Sequence, residues 1–180
     1  MNEVAIMTLT NTLIKEKVIC AKAMIEECTG FKVDAKFPVI TFSKARSFWA
    51  NVTTLGNKDF KLNVSNVFEE IEDSTLADIR LQSTIIHEVI HTLPGCFNHG
   101  PKFKKVCNDI NKVYPEFELQ RATAMSKYGI EREVKPFKYI IECPHCGKQY
   151  HYKKKSKFID ILNTCRCGVC NKSGLTWKEV

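Results

Sequence analysis

The chain has 180 residues, 44% of them apolar and 26% charged, proportions that argue against disordered and fibrous classes. Its longest uncharged run, residues 89–101, falls short of the roughly 18 residues a membrane-spanning helix needs. The start lacks the basic, long apolar and small-residue pattern of a secretory signal, so a cytoplasmic protein with no membrane partner is expected. The net charge of +7 is uneven: residues 1–131 hold 16 Lys/Arg against 16 Asp/Glu, and residues 132–180 hold 11 against 4. A neutral body with a basic end points to a polyanion contact near the C-terminus.

Along the chain, Leu13, Val18, Ile19, Ala21, Ile25 and Cys28 predict an amphipathic helix over residues 9–28, stopped by Gly30. Residues 38–42 read as a short strand. Residues 48–55 and 60–64 flank Gly56-Asn57-Lys58-Asp59 and read as a hairpin. Ser74-Thr75 are expected to cap a second helix that runs to Leu93, where Pro94-Gly95 ends it. A third helix opens at His99-Gly100-Pro101, with Phe103, Val106, Cys107, Ile110 and Val113 as its apolar face. Residues 129–139 lack a clear period, which divides the chain into domains 1–135 and 136–180.

His87-Glu88-Val89-Ile90-His91 is the most informative pentapeptide. On a helix, His87 and His91 lie one turn apart on one face, so both imidazoles reach one ion. Glu88 sits about 100° further round, within reach of a water beside that ion without ligating it. A catalytic zinc takes three protein ligands and keeps one position open. His99, eight residues after His91, is the favoured third ligand, and Glu116 is its rival. Zinc polarises a carbonyl and activates water, with Glu88 as the proton carrier. The expected reaction is peptide-bond hydrolysis on protein substrates. Tyr114 and Tyr128 are candidate oxyanion stabilisers.

Nine cysteines are many for a chain expected in the cytoplasm, and five fall between Cys143 and Cys170. Cys143-Pro-His-Cys146 and Cys167-Gly-Val-Cys170 form a C-x2-C-x20-C-x2-C pattern that predicts a closed, structural zinc site on a ribbon. Cys165 could replace Cys167 if the second loop shifts register. Tyr150, Tyr152, Phe158, Ile159 and Ile161 supply short strands between the two pairs. Lys153, Lys154, Lys155 and Lys157, with Tyr152 among them, suit contact with single-stranded or damaged DNA, lysines meeting phosphates and the aromatic ring stacking on a base.

The histidine pentapeptide, then His99-Gly-Pro-Lys-Phe103, then a short four-cysteine segment, resembles the SprT-like metalloproteases over about residues 40–175. The resemblance implies an α+β protein: a zincin-like catalytic domain with a small antiparallel sheet packed on helices, followed by a C-terminal zinc ribbon. It further implies one catalytic Zn2+ on His87, His91 and His99, Glu88 as catalytic residue, and one structural Zn2+ on Cys143, Cys146, Cys167 and Cys170. Eukaryotic relatives cleave proteins crosslinked to DNA, whereas this chain looks more like compact bacterial or phage members. The alternative is a non-catalytic zinc protein that binds nucleic acid or protein partners.

Overall fold

Helix α1 (Asn11–Thr29) begins where the Thr10 side chain accepts from the Leu13 N–H and ends at Gly30, whose φ of 70° is left-handed. It buries Ile14, Val18, Ala21 and Ile25. Ile19 falls off that stripe and is 67% exposed, so it does not belong to the helix's apolar face. The computed structural model describes residues 7–121, 123–130 and 136–180. The chain divides into two compact units, Met1–Arg132 and Glu133–Val180. Segment 131–135, where the sequence sets the domain boundary, lies outside the described residues.

Strands β1 (Lys36–Ser43), β2 (Ala50–Gly56) and β3 (Asp59–Ser65) form a sheet in the order β1-β3-β2. The hairpin turns at Asn57 and Lys58, both at positive φ, the pair a two-residue turn needs to match strand twist. Phe60, Leu62 and Val64 alternate inward from β3. The sheet is not the all-antiparallel one expected: β2 pairs with β3 antiparallel, but β1 runs parallel to β3 from Val39 opposite Lys61 to Ser43 opposite Ser65. The reason is topological. The β1–β2 connection crosses the end of β3 rather than turning back as a hairpin, which leaves β2 as a free edge.

Helix α2 (Ser74–Ile90) is capped by Asp73, not Ser74, through the Leu76 N–H at 2.9 Å. It also stops three residues before Leu93, and His91 closes it. Packed by α1, β2 and the turn at Pro115–Phe117, α2 is buried over most of its length. Ile85, Ile86, Val89 and Ile90 are fully enclosed. Helix α3 (Pro101–Val113) has Gly100 as its cap and Pro101 in its first turn, and it buries Phe103, Val106, Cys107 and Ile110. Val113 is exposed instead.

In the second unit, β4 (Tyr139–Glu142) is central, with β5 (Gln149–Tyr152) and β6 (Thr176–Glu179) antiparallel on either side. Phe158 and Ile159 lie in the short helix α4 (Lys157–Asp160), not in a strand. Ile141, Ile159, Leu162 and Leu175 form a small core with Cys143 and Cys167. No helix among the described residues is long and apolar enough to cross a membrane.

Candidate metal centres

Three imidazoles converge in the first unit. Nε2 of His91 stands 3.2 Å from Nε2 of His87, one helical turn away. Beyond α2, the chain turns through Leu93–Cys96 and brings His99 back, its Nε2 3.0 Å from that of His87. Ligand nitrogens 2.0–2.1 Å from a tetrahedral zinc stand about 3.3 Å apart, so this triangle fits such an ion. His91 is oriented from behind, where its Nδ1–H donates to the Cys96 carbonyl at 2.7 Å, which leaves the Nε2 lone pair to face the other two imidazoles, where an ion could be held. Phe103 of α3 stacks on His91 with ring centroids 4.7 Å apart and meets His87 and His99 edge-on.

Burial lowers the affinity of all three rings for protons. For His87, desolvation comes first, then the charges of His91, His99 and Arg80; against a raising contribution from the Gln120 backbone, its pKa falls to about 3. His91 and His99 are also lowered, again mainly by burial. Neutral imidazole is the ligating form. Glu88 is 7% exposed and stands outside the ligand triangle. Burial raises its pKa to about 7, against the opposing effect of the Val52 backbone.

These groups share a cleft of about 640 Å³. One wall is the polar stripe of α2, with Arg80, Thr84, His87, Glu88 and His91 at helical spacing; the facing wall is the free edge β2. Gln120, Arg121, Thr123 and Met125 complete the enclosure. Glu116, the rival ligand, lies in the turn Pro115–Phe117, away from the triangle and the cleft lining. Neither tyrosine lines the cleft: the Tyr114 hydroxyl donates to Glu27 at 2.8 Å, and Tyr128 packs edge-on against Trp49. Arg80 escaped the sequence reading because a single arginine within a helical pattern reads as a solvated face.

Comparison with family models, with curated proteins and with solved structures gives no match to this chain.

In the second unit, Cys143, Cys146, Cys167 and Cys170 come together. The Cys143–Cys170 and Cys146–Cys167 sulfurs are each 3.6 Å apart, close to the roughly 3.8 Å of thiolates 2.3 Å from a tetrahedral ion. Cys167 belongs to this group and Cys165 does not; the Cys165 thiol donates to the Ile161 carbonyl at 3.3 Å. The Cys170 backbone, the Tyr150 hydroxyl and the Val169 N–H favour thiolate at Cys167 and pull its pKa down to about 6. Both groups could hold metal ions, and their donor chemistry and spacing are consistent with zinc.

Lys153, Lys154, Lys155 and Lys157 are all exposed. Tyr152 is half-buried and packs towards Phe158 in the small core, which does not suit it as an open stacking surface. The exposed rings are Trp177, with Lys155 5.4 Å from its centroid, and Phe137, with Lys153 at 5.8 Å. Trp177 was visible in the sequence only as the alternate residue of a four-residue strand after the last cysteine.

Proposed function

We propose that this chain is a zinc-dependent endopeptidase of SprT-like type, with a zincin-like first unit and a structural zinc ribbon as its second. The observation that carries the reading is the convergence of three Nε2 atoms beside a buried, non-ligating glutamate, in a cleft whose opposite wall is an unpaired strand edge. His87, His91 and His99 would hold the catalytic ion. When bound, the ion supplies a Lewis acid that polarises a carbonyl and makes water a nucleophile near neutral pH.

The chain's own residues supply the rest. Apart from Val52, whose backbone bonds Glu88, the free edge of β2 offers backbone N–H and C=O groups to an extended polypeptide, which adds to it as a further strand. That fixes the substrate between β2 and α2. Glu88, with a pKa near the working pH, takes a proton onto its carboxylate from the attacking water and returns it to the departing amine nitrogen. Incubation of the zinc-loaded chain with an unfolded protein tests the reading. New peptide termini that disappear on chelation support it, and intact substrate contradicts it.

The exposed lysines beside Trp177 and Phe137 support a nucleic-acid contact through the ribbon, so proteins on DNA are the substrate class we favour. Under the other reading, the chain binds zinc and a partner without turnover. A buried glutamate outside the ligand set gives a purely structural centre no advantage, which favours the enzyme.

A further inference from the structure

Among the described residues, three buried side-chain polar atoms lack a hydrogen-bond partner, and two of them, Arg80 Nε and Thr84 Oγ1, belong to residues on the cleft stripe of α2. Arg80 is 7% exposed and Thr84 3%. The guanidinium is wedged 5.1 Å from the Trp49 ring centroid and 5.8 Å from that of Tyr128. Its Nη1 donates to Thr123 Oγ1 at 3.1 Å and, more weakly, to Ser83 Oγ at 3.5 Å. Both acceptors are neutral. The Tyr128 hydroxyl also acts on Arg80, and Glu118 does so more weakly, being itself salt-bridged to Lys127.

Burying a permanent cation with no carboxylate against it is strongly unfavourable, and a purely packing role between two aromatic rings would be met more cheaply by methionine or leucine. The surroundings are braced rather than adaptable. Trp49 Nε1 donates to the Thr123 carbonyl at 2.9 Å, and Asn111 clamps Leu119 through both its N–H and its carbonyl. Arg121 adds a second positive charge to the lining of the same cleft. A held guanidinium with no carboxylate against it among the described residues, beside a hydroxyl with no partner, describes a receptor for an anion.

We propose that Arg80 and Thr84 form a specificity pocket for an acidic side chain, Asp or Glu, of the polypeptide substrate. One buried cation matches one carboxylate, and the aromatic and apolar neighbours exclude the water that would weaken the pair. Arg80 precedes His87 by seven residues, about 10 Å along the helix axis. An extended peptide advances about 3.3 Å per residue, which puts the acidic residue about three positions from the cleaved bond. The inference rests on the peptidase reading of this cleft.

The test uses the full, zinc-loaded chain on matched peptides that carry Asp, Asn or phosphoserine at successive positions around one cut site. Asp is expected to raise kcat/KM about tenfold or more over Asn at one position, about three residues from the cut. Arg80→Met should collapse that Asp/Asn ratio towards one, Arg80→Lys should restore part of it, and the isosteric Thr84→Val should reduce it. No Asp preference in the unmodified chain, a preference that survives Arg80→Met, or phosphoserine favoured over Asp overturns the pocket. The unmodified chain's own Asp/Asn ratio decides the matter even if the variants do not fold. If no peptide is cut, the peptidase reading falls alone; equilibrium binding of the Asp and Asn peptides then judges the pocket, and equal affinities overturn it.

Discussion

The ring of Phe103 stacks on His91 with centroids 4.7 Å apart, and the same ring meets His87 and His99 edge-on. One apolar side chain of α3 thus backs all three candidate ligands, although it carries no donor atom. Phe103→Ala should cost about 3–5 kcal/mol of stability. It should also weaken zinc binding by the histidines about 10- to 100-fold, since the rings lose their support. Competition of the purified variant with a zinc chelator measures the second effect.

Glu88 gives a pH prediction for the metal-free protein. Its ordinary pKa is 4.5, and burial raises the folded value to about 7. Between those values the unfolded chain releases the proton and the folded chain keeps it, so this residue lowers stability as pH rises, by about 3 kcal/mol in all. His87 works the other way. Its folded value near 3, against 6.5 unfolded, gives stability that is complete above 6.5 and lost as pH falls towards 3. Metal-free Glu88→Gln should therefore melt higher than the unmodified chain at pH 8, and the gap should close near pH 4.5. Thermal melts across that range check it.

The ligand assignment is testable by counting ions. His99→Ala should reduce bound zinc from about two ions per chain to about one, while Glu116→Ala should leave the count unchanged. Elemental analysis after gel filtration distinguishes the two.

Much of the first centre is legible in sequence because its determinants are local. The His87–His91 spacing is one helical turn, and the Pro94-Gly95 break with Pro101 beyond it announces the return that carries His99. What sequence misses is non-local. Nothing near residues 36–43 says that β1 will lie parallel to β3, because that choice is made by a connection passing over the strand end. Arg80 has no local mark either. It matters because Trp49, Thr123 and Tyr128, remote in sequence, enclose it. Tyr152 misled for a related reason: alternation in β5 turns it towards Phe158, and exposure passes to Trp177 on β6.

Cys143 sits at the centre of the second unit's core, fully buried beside Ile141 and Leu162. Cys143→Ser should release one zinc and unfold that unit, since a core so small depends on its metal. The melting transition of residues 7–130 should persist. Loss of amide protection confined to residues 136–180 in hydrogen exchange would show this.

The most direct test compares zinc-loaded unmodified chain with zinc-loaded Glu88→Gln on a basic DNA-binding protein, with and without single-stranded DNA. The account predicts cleavage by the unmodified chain, increased by DNA, and at least a hundredfold loss in Glu88→Gln with zinc content unchanged, roughly the scale of a lost general base. Equal cleavage by both proteins, or none by either, would contradict it.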